Sequence, residues 1–337
     1  MVNSRLEKKK KKGKRLKRVL YIFLTLFLAV VAYGGYVFYE TYQAANGAFT
    51  ELDRDKSKYR ETEIEINKDP FSVLIMGIED YSSGGENGRT DTLMVATLNP
   101  KDKTMKLLSI PRDTQVYYEH LGYYSKINHA NAYGGKEMTI DKVEELLEVP
   151  IDYYTTVNFD GFKNVIDIVG GVEVEVPFDF SEKSDVDSSR IYFTEGLMKL
   201  NGEEALAYAR MRKVDPRGDF GRNDRQKQII QSALSEILSP GNLLKVDDIA
   251  REMGNNVQTN IRVSEGIGLS RLYAGFNASN IENVSLEGAD DTSTGVYYFI
   301  PYEESIFEVR SALKQHLGLE SATVQTDQTE DSIDSNE

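Results

Sequence analysis

Three short apolar runs between residues 71 and 113 constrain the fold of this chain more than any other feature. The first, residues 71–78, follows Pro70 and has the length and β-branched content of a buried strand rather than of a helix. The second and third, residues 92–98 and 105–110, are separated by the turn-forming residues 99–103. α/β folds tend to place their functional sites at the ends of strands. The charged residues at the ends of these runs are Glu79, Asp80, Arg89, Asp91, Arg112 and Asp113.

Strand and helix patterns alternate from Pro70 to about Gly318, which predicts an α/β domain whose sheet is covered by helices. Further strands are predicted at residues 153–159, 172–176 and 296–300. Helices are predicted at residues 141–147, 160–169, 203–208, 223–238, 243–253, 265–276 and 303–317.

The amino-acid inventory excludes several classes of enzyme. The 337 residues include no Cys, so the chain has no disulfide framework, no thiolate zinc site and no thiol nucleophile. Its histidines, His120, His129 and His316, do not have the spacing of a histidine-ligated zinc site. The serine elbow of hydrolases, the phosphate-binding P-loop and the dinucleotide-binding glycine fingerprint are also absent from the sequence.

The charge of the chain is divided between a basic head and an acidic remainder. Residues 1–18 carry ten Lys or Arg and one Glu, whereas the rest of the chain carries 30 basic and 53 acidic residues. The uncharged residues 19–39 follow directly, and at ~1.5 Å per residue they are long enough to span the ~30 Å hydrocarbon core of a membrane. Basic residues before such a segment favour a cytoplasmic N-terminus. The head is therefore interpreted as a topology determinant rather than as a nucleic-acid-binding region.

The apolar segment is predicted to be an uncleaved signal-anchor. It is longer than the ~7–15 residues usual in a signal peptide, and no Ala-x-Ala cleavage site follows it directly. We therefore expect a single-pass type II protein with an extracytoplasmic domain at residues 70–318. Residues 40–69 are predicted to form a stalk, and residues 319–337 an acidic disordered tail.

Arginines recur at regular spacing in the second half of the chain. Arg210 and Arg212 would share one face of an extended segment, and Arg222, Arg225 and Gln226 would share one face near the start of a helix. Surface charge is the ordinary interpretation of each group on its own. Arginine near a helix N-terminus nevertheless opposes the helix dipole by ~0.3–1 kcal/mol, a cost that a bound anion would reverse.

Seven motifs together resemble the LytR–CpsA–Psr family of membrane-anchored cell-wall enzymes. The resemblance extends from about residue 70 to residue 231, and the basic head and single anchor also match. The motifs are Met76-Gly77-Ile78-Glu79, Gly88-Arg89-Thr90-Asp91-Thr92, Ser109-Ile110-Pro111-Arg112-Asp113, Lys126-Ile127-Asn128-His129-Ala130, Asn201-Gly202-Glu203-Glu204-Ala205-Leu206, Tyr208-Ala209-Arg210-Met211-Arg212, and residues 219–226.

This resemblance implies an α-β-α domain with a central mixed sheet flanked by helices, and a phosphotransferase activity. The enzyme would move a glycopolymer from a polyprenyl-pyrophosphate carrier to peptidoglycan, leaving a phosphodiester link. Wall teichoic acid is the polymer expected first, with capsular or another secondary wall polysaccharide as the alternative. A polyprenyl-pyrophosphate hydrolase and a non-catalytic transcription attenuator are the competing interpretations.

The resemblance also implies a set of site residues. Asp91 and Glu79 would bind Mg²⁺, although the family usually has Asp at the position of Glu79, and Asp80 could take its place. Arg222, together with Asp219, would support the phosphate-binding residues. Catalytic roles fall on Arg89, Asp91, Arg112, Arg210 and Arg212, and the pyrophosphate would be bound by Arg89, Arg112, Lys126, Arg210, Arg212, Arg222, Arg225 and Gln226.

A lipid carrier requires an apolar groove in addition to these charges. The predicted helices at residues 160–169 and 223–238 could supply its walls through Phe162, Ile166, Ile230 and Leu234, although each of these residues could equally belong to the core. Asp113 or Asp91 could act as a base toward a sugar hydroxyl, a role that the sequence leaves unassigned.

Overall fold

The computed structural model describes residues 48–78, 88–239, 242, 256–274, 276 and 278–319. Within these ranges the strands are β1 Phe71–Ile78, β2 Thr90–Asn99, β3 Thr104–Ser109, β4 Gln115–Tyr118, β5 Tyr123–Lys126, β6 Tyr153–Val157, β7 Val172–Val176, β8 Phe180–Lys183, β9 Arg190–Phe193, β10 Gly196–Leu200, β11 Val257–Thr259, β12 Ile281–Ser285, β13 Gly288–Asp291 and β14 Tyr298–Pro301. The helices are α1 Ala130–Leu147, α2 Phe159–Val169, α3 Gly202–Arg210, α4 Asp219–Ile237, α5 Val263–Leu272 and α6 Glu303–His316. Two short 3₁₀ helices lie at Ile127–His129 and Ala278–Asn280.

A six-stranded sheet in the order β11-β6-β1-β2-β3-β12 forms the centre of the molecule. The pairs β1/β6 and β3/β12 are parallel, whereas β1/β2, β2/β3 and β6/β11 are antiparallel. Strands in the middle of a sheet covered on both faces are expected to be apolar along their whole length. The three apolar runs of the sequence are these strands, and the prediction of a mixed α/β fold is confirmed.

Helices cover both faces of the sheet. On one face, Leu74 and Met76 of β1 pack into a buried cluster with side chains of α1 and α6. On the other face, Met94 and Ala96 of β2 pack with Leu238 and Tyr273, at the ends of α4 and α5. Because side chains alternate between the two faces of a strand, one apolar run supplies both cores.

A third apolar core lies beside the sheet, where α2, α3 and α4 pack over the hairpins that follow α2. Its centre includes three stacked or tilted aromatic rings, Phe180, Phe193 and Tyr208, with centroids 4.6–5.9 Å apart. This packing holds α3 and α4 side by side, so residues from both helices can line one cavity.

The segment predicted as a stalk packs on the domain from Ala48 onward. Arg54 donates two hydrogen bonds of 2.8 Å to the fully buried carboxylate of Glu144. Arg60 pairs with the buried Asp152 at 2.6 Å. The folded domain therefore begins before residue 70, because these cations neutralise carboxylates that the domain buries.

Several sequence-based boundaries differ from the structure or fall outside it. Helix α4 begins at Asp219, four residues earlier than predicted, and α3 continues to Arg210, so Arg210 and Arg212 do not share an extended segment. Three predicted segments lie outside the described ranges, namely the anchor at residues 19–39, the helix at residues 243–253 and the tail at residues 320–337. Among the described residues, no helix is both long and apolar enough to cross a membrane.

Candidate active site

The carboxylate of Asp91 is positioned by an irregularity between β1 and β2. Gly77 pairs with Thr92 but Ile78 pairs with Thr90, so Asp91 is an extra residue in β2. Such bulges re-aim a side chain next to a functional site. A β-carbon on Gly77 would lie 3.0 Å from that of Thr92, so a larger residue here would require the Thr92 side chain to shift.

Arg112 reaches the same place from the turn that follows β3. The turn is held by the hydrogen bonds Thr114 N to Pro111 O and Asn128 N to Arg112 O. Arg112 then donates a 2.7 Å hydrogen bond to Asp91. Burial lowers the pKa of the Arg112 guanidinium, but the charge and hydrogen bond of Asp91 outweigh burial and the net shift is upward.

The first turn of α4 contributes a second arginine. Arg222 is 8% exposed and lies 2.9 Å from Asp219, which also lies 3.2 Å from Arg212. Burial lowers the pKa of Arg222, and the neighbouring charges of Arg112 and Arg212 act in the same direction. The Nε atoms of both Arg112 and Arg222 are buried and have no hydrogen-bond acceptor among the described residues. Arg112 Nε lies 3.6 Å from Asp113 Oδ2, beyond hydrogen-bond distance. Buried donors without an acceptor call for an explanation, and an anion bound by these two guanidinium groups is one that fits their charge.

These side chains line a cavity of about 270 Å³ that is polar at one end and apolar at the other. The cavity runs beside α4 from Arg222 to Ile230, a distance of ~12 Å at 1.5 Å per residue. Its polar end is formed by Asp91, Thr92, Arg112, Asn158, Arg210, Arg222 and Gln226, and its apolar part by Ile75, Met76, Val157, Phe159, Phe162, Leu206, Ala209, Ile229 and Ile230.

Arg210 enters the cavity wall from the end of α3. Its guanidinium donates to Asp185 at 2.6 Å and lies 5.2 Å above the ring of Phe159. Arg212 is 46% exposed, and its Nε lies 3.2 Å from Asp219, the carboxylate that also pairs with Arg222. The structure thus separates the two arginines that the sequence placed on one face.

Lys126 and Asp113 form a polar shelf next to the cavity. Lys126 Nζ donates to Asp113 Oδ1 at 2.5 Å and lies 5.7 Å from the ring centroid of Tyr297. Burial, reinforced by the charges of Arg89 and Lys126, lowers the pKa of His129 below its usual 6.5, so its ring is neutral at pH 7. Arg89 is exposed at the start of β2.

Arg225 does not reach the cavity. Its side chain is 1% exposed, and it donates to the carboxylate of Asp215 and to the backbone carbonyls of Tyr208 and Met211. Every nitrogen of its guanidinium therefore has a protein acceptor. The structure assigns Arg225 to holding α3 against α4, in contrast to the phosphate-binding role that the resemblance implied.

The metal ligands are placed only in part. Asp91 lies in the cavity wall, whereas Glu79 and Asp80 lie outside the described residues. Within the described ranges, no cluster of three or more His, Asp or Glu side chains could hold a metal ion. Of the predicted metal ligands, Asp91 is the one in the described cavity wall, and its Oδ1 accepts the hydrogen bond from Arg112.

Of the four apolar candidates, Phe162 and Ile230 line the cavity, whereas Ile166 and Leu234 belong to the cores. Sequence reasoning missed Asp185, which holds Arg210, and Tyr297, which lies beside Lys126. No local pattern marks either residue, because each lies in a hairpin that is distant in sequence from the cation it contacts.

The chain is similar in sequence to known proteins. The profile of the LytR_cpsA_psr family matches residues 35–315. The polyisoprenyl-teichoic acid–peptidoglycan teichoic acid transferase TagV of Bacillus subtilis (strain 168) is 51% identical over 310 residues, which are 90% of this chain and 79% of TagV.

Solved structures show the same fold. The crystal structure of B. subtilis TagV has a TM-score of 0.69 at 53% identity and covers 75% of this chain and 99% of that one. The structure of TagT bound to LI-WTA has a TM-score of 0.67 at 33% identity, with 80% and 100% of the two chains covered.

Proposed function

The chain belongs to the LytR_cpsA_psr family, and we propose that it is a phosphotransferase that moves wall teichoic acid from a polyprenyl-pyrophosphate carrier to peptidoglycan. The names of its relatives support this reaction, since they are transferases of teichoic acid to peptidoglycan. The observation that carries the proposal is the cavity, because its charged and apolar ends match the two chemically opposite parts of a polyprenyl pyrophosphate.

The charged end suits a pyrophosphate. Arg112 and Arg222 each hold a buried Nε without an acceptor among the described residues, and the guanidinium of Arg210 adds further donors. Planar guanidinium groups bind phosphate oxygens through paired hydrogen bonds. Phosphoryl transfer depends mainly on positioning and on neutralising charge, and this end of the cavity provides both.

The apolar part suits the first units of a prenyl chain. This part of the cavity is lined by hydrocarbon from Phe159, Phe162 and Ile230. A prenyl chain that binds there would be removed from water. With the pyrophosphate at Arg112 and Arg222, the lipid would extend along α4 away from the helix start.

In the proposed reaction, a hydroxyl oxygen of peptidoglycan attacks the phosphorus that carries the polymer. A new P–O bond forms, the P–O bond to the lipid phosphate breaks, and the products are a phosphodiester and polyprenyl phosphate. The hydroxyl proton leaves to a base or to solvent. No covalent enzyme intermediate is needed, consistent with a chain without cysteine.

We also propose that Asp91 binds Mg²⁺, with Glu79 or Asp80 as the second carboxylate. When bound, Mg²⁺ would neutralise part of the charge of the pyrophosphate. Asp91 itself would hold Arg112 in place through their 2.7 Å hydrogen bond. The signal-anchor at residues 19–39, with the catalytic domain outside the cell membrane, belongs to the same proposal, because it would place the cavity beside the membrane that carries the lipid.

The test uses full-length protein in detergent with a synthetic polyprenyl-pyrophosphoryl teichoic acid precursor, Mg²⁺ and nascent peptidoglycan. Asp91→Asn and Arg112→Ala should each lower the transfer rate by at least ~100-fold, the scale seen when one electrostatic contact to a transition state is removed. Arg190→Ala is the matched control, because Arg190 is an exposed arginine of β9 and should leave the rate unchanged.

Three other outcomes would contradict the proposal. Release of free polymer phosphate without attachment would identify a hydrolase. Faster transfer from a carrier of capsular polysaccharide than from the teichoic acid carrier would identify capsular polysaccharide as the transferred polymer. Wild-type protein that transfers nothing and cleaves no donor would indicate a binding protein, such as an attenuator.

A further inference from the structure

The hairpin of β4 and β5 exposes two aromatic rings on the side that faces away from the core. Tyr117 and Tyr124 are directly paired across the hairpin and are 41% and 59% exposed. Their ring centroids lie 5.0 Å apart with an interplanar angle of 60°. We call this pair, Tyr117 and Tyr124, the tyrosine face.

The opposite side of the hairpin carries the contacts that hold it in place. Val116 and Tyr118 are buried in the main core, and the Tyr118 hydroxyl donates to Lys126 O. Side chains alternate between the two sides of a strand, so the residues of the tyrosine face point away from this core. Exposed aromatic side chains beside a site are characteristic of interaction surfaces rather than of folding.

The tyrosine face continues into the candidate active site. The next pair along the same side of the hairpin is Gln115 and Lys126, two residues or ~7 Å further. Lys126 donates a hydrogen bond of 2.5 Å to Asp113. Asp113 follows Arg112 in the chain and lies two residues before the start of the hairpin. The tyrosine face is therefore followed by Lys126 and Asp113, and then by Arg112, which is hydrogen-bonded to Asp91.

The geometry of phosphoryl transfer determines which substrate can use this path. Attacking and leaving oxygens lie roughly in line on opposite sides of the phosphorus. The leaving group is the lipid phosphate, whose chain would lie in the apolar part of the cavity near Ile230. The attacking hydroxyl must then arrive from the opposite end, where Lys126 and Asp113 lie.

We propose, on the premise of the transferase function above, that the tyrosine face is an acceptor subsite that binds a sugar of the peptidoglycan glycan strand. The electron-rich faces of the two rings can contact the C–H face of a pyranose, while their hydroxyls can hydrogen-bond to the sugar. The glycan strand would then present its hydroxyl at the shelf of Lys126 and Asp113.

The membrane surface is the competing occupant, because tyrosines are also common at lipid headgroups. The position of the hairpin argues against it. The tyrosine face adjoins the polar end of the cavity, whereas a bilayer that supplies the lipid would lie toward its apolar end.

The test compares full-length wild type with Tyr117→Ala/Tyr124→Ala in the transfer assay, with soluble uncrosslinked glycan strands as acceptor. We expect the acceptor concentration for half-maximal rate to rise by about tenfold, the effect of losing contacts of the strength that aromatic pairs reach. The dissociation constant of the lipid donor should stay unchanged. Tyr117→Phe/Tyr124→Phe keeps both rings and removes only their hydroxyls. Its acceptor concentration for half-maximal rate should therefore rise by no more than a few-fold. The matched control Tyr192→Ala, which removes a 72% exposed tyrosine from β9, should have no effect.

The outcomes separate this inference from the proposed function. Wild-type transfer with an unchanged acceptor response in the double Ala variant would overturn the acceptor subsite and leave the transferase intact. A wild type that transfers nothing would overturn the function, and direct calorimetric binding of the glycan strands to wild type and variant would still decide the subsite. Loss of binding to anionic lipid vesicles in the variant, with the acceptor response kept, would assign the face to the membrane. If the double variant melts at a lower temperature than wild type, Tyr124→Ala alone replaces it.

Discussion

At the scale of single residues, two arginines that lie three apart on α4 have opposite roles. Arg222 lines the cavity and its Nε has no acceptor among the described residues, whereas Arg225 is buried with Asp215 and two backbone carbonyls. Three helical positions differ by ~60° in direction, which is enough to turn one side chain toward a ligand and the other into a core.

Arg225→Ala should therefore lower the free energy of unfolding by roughly 3–5 kcal/mol, because it leaves the buried Asp215 carboxylate without its partner. Burial opposes ionisation of Asp215, but Arg225 outweighs it and lowers the pKa of this carboxyl. Urea denaturation measures the loss. Arg217→Ala is the control, since its pair with Asp224 is about half exposed and should contribute no more than ~1 kcal/mol. A variant that keeps wild-type stability but loses donor binding would restore Arg225 to the phosphate-binding set.

At the scale of elements, α4 can start where it does only because a glycine lies opposite Asp215. A β-carbon at Gly221 would overlap the Asp215 carboxylate, whereas a β-carbon at Gly266 of α5 would meet nothing within 4 Å. Both glycines occupy helices, so the intrinsic effect of Ala is the same for both.

Gly221→Ala should lower the free energy of unfolding by about 1–3 kcal/mol through overpacking, and Gly266→Ala should raise it by about 0.5–1 kcal/mol. Thermal and urea unfolding of the two variants provide the measurement. If Gly221→Ala and Gly266→Ala change the free energy of unfolding equally, Asp215 moves aside without cost. That result would contradict the tight packing inferred for α4.

The last helix is attached to the sheet through an uncharged histidine. Nδ1 of His316 lies 2.8 Å from Thr97 Oγ1 of β2, and Nε2 lies 3.0 Å from Thr104 Oγ1 of β3. Burial, with the charge of Lys106, lowers the pKa of His316 below 6.5. The unfolded chain therefore binds this proton more readily than the folded one.

It follows that His316 contributes its full stabilisation of the folded state above pH 6.5. This stabilisation is lost as the pH falls toward the lower pKa of His316 in the folded protein. His316→Gln should remove this part of the pH dependence, so the stability difference between wild type and variant should shrink from about pH 7.5 to about pH 5.5. Urea denaturation across that range is the measurement. His120→Gln, at an exposed position, is the control, and a constant difference for His316→Gln would contradict the argument.

At the scale of the whole molecule, the segment before β1 completes the domain rather than only leading to it. Arg54 is bound by both oxygens of Glu144, whose side chain is 0% exposed, and it also donates to Ile151 O at 2.7 Å. A buried carboxylate on α1 thus depends on a residue 90 positions earlier in the chain.

Arg54→Ala should lower the free energy of unfolding by about 3 kcal/mol or more, because it removes the ion-pair partner of the buried Glu144 carboxylate. Lys58→Ala is the matched control: its 4.0 Å pair with Glu145 is exposed and should contribute less than ~1 kcal/mol. Chemical unfolding of the full chain measures both. Similar stabilities for the two variants would mean that the segment is a dispensable stalk after all.

The sequence by itself determined the properties that depend on local order along the chain. The apolar runs that became β1, β2 and β3, the strand at Val172–Val176 and the motifs that identify the family could all be predicted, because strand length, turn residues and motif spacing are local. The sequence also indicated that Arg112 and Asp91 lie at strand ends, and the structure joins the two by a 2.7 Å hydrogen bond.

Only the tertiary structure decided which of the candidate residues share the cavity. The bulge that aims Asp91, the burial of Arg225 and the pairing of Arg210 with Asp185 each depend on segments distant in sequence. The tyrosine face had no signal in the sequence, because nothing local distinguishes a tyrosine in a core from one on a surface. Contacts between distant segments are set by packing of the whole domain, and packing is a property that residue spacing does not contain.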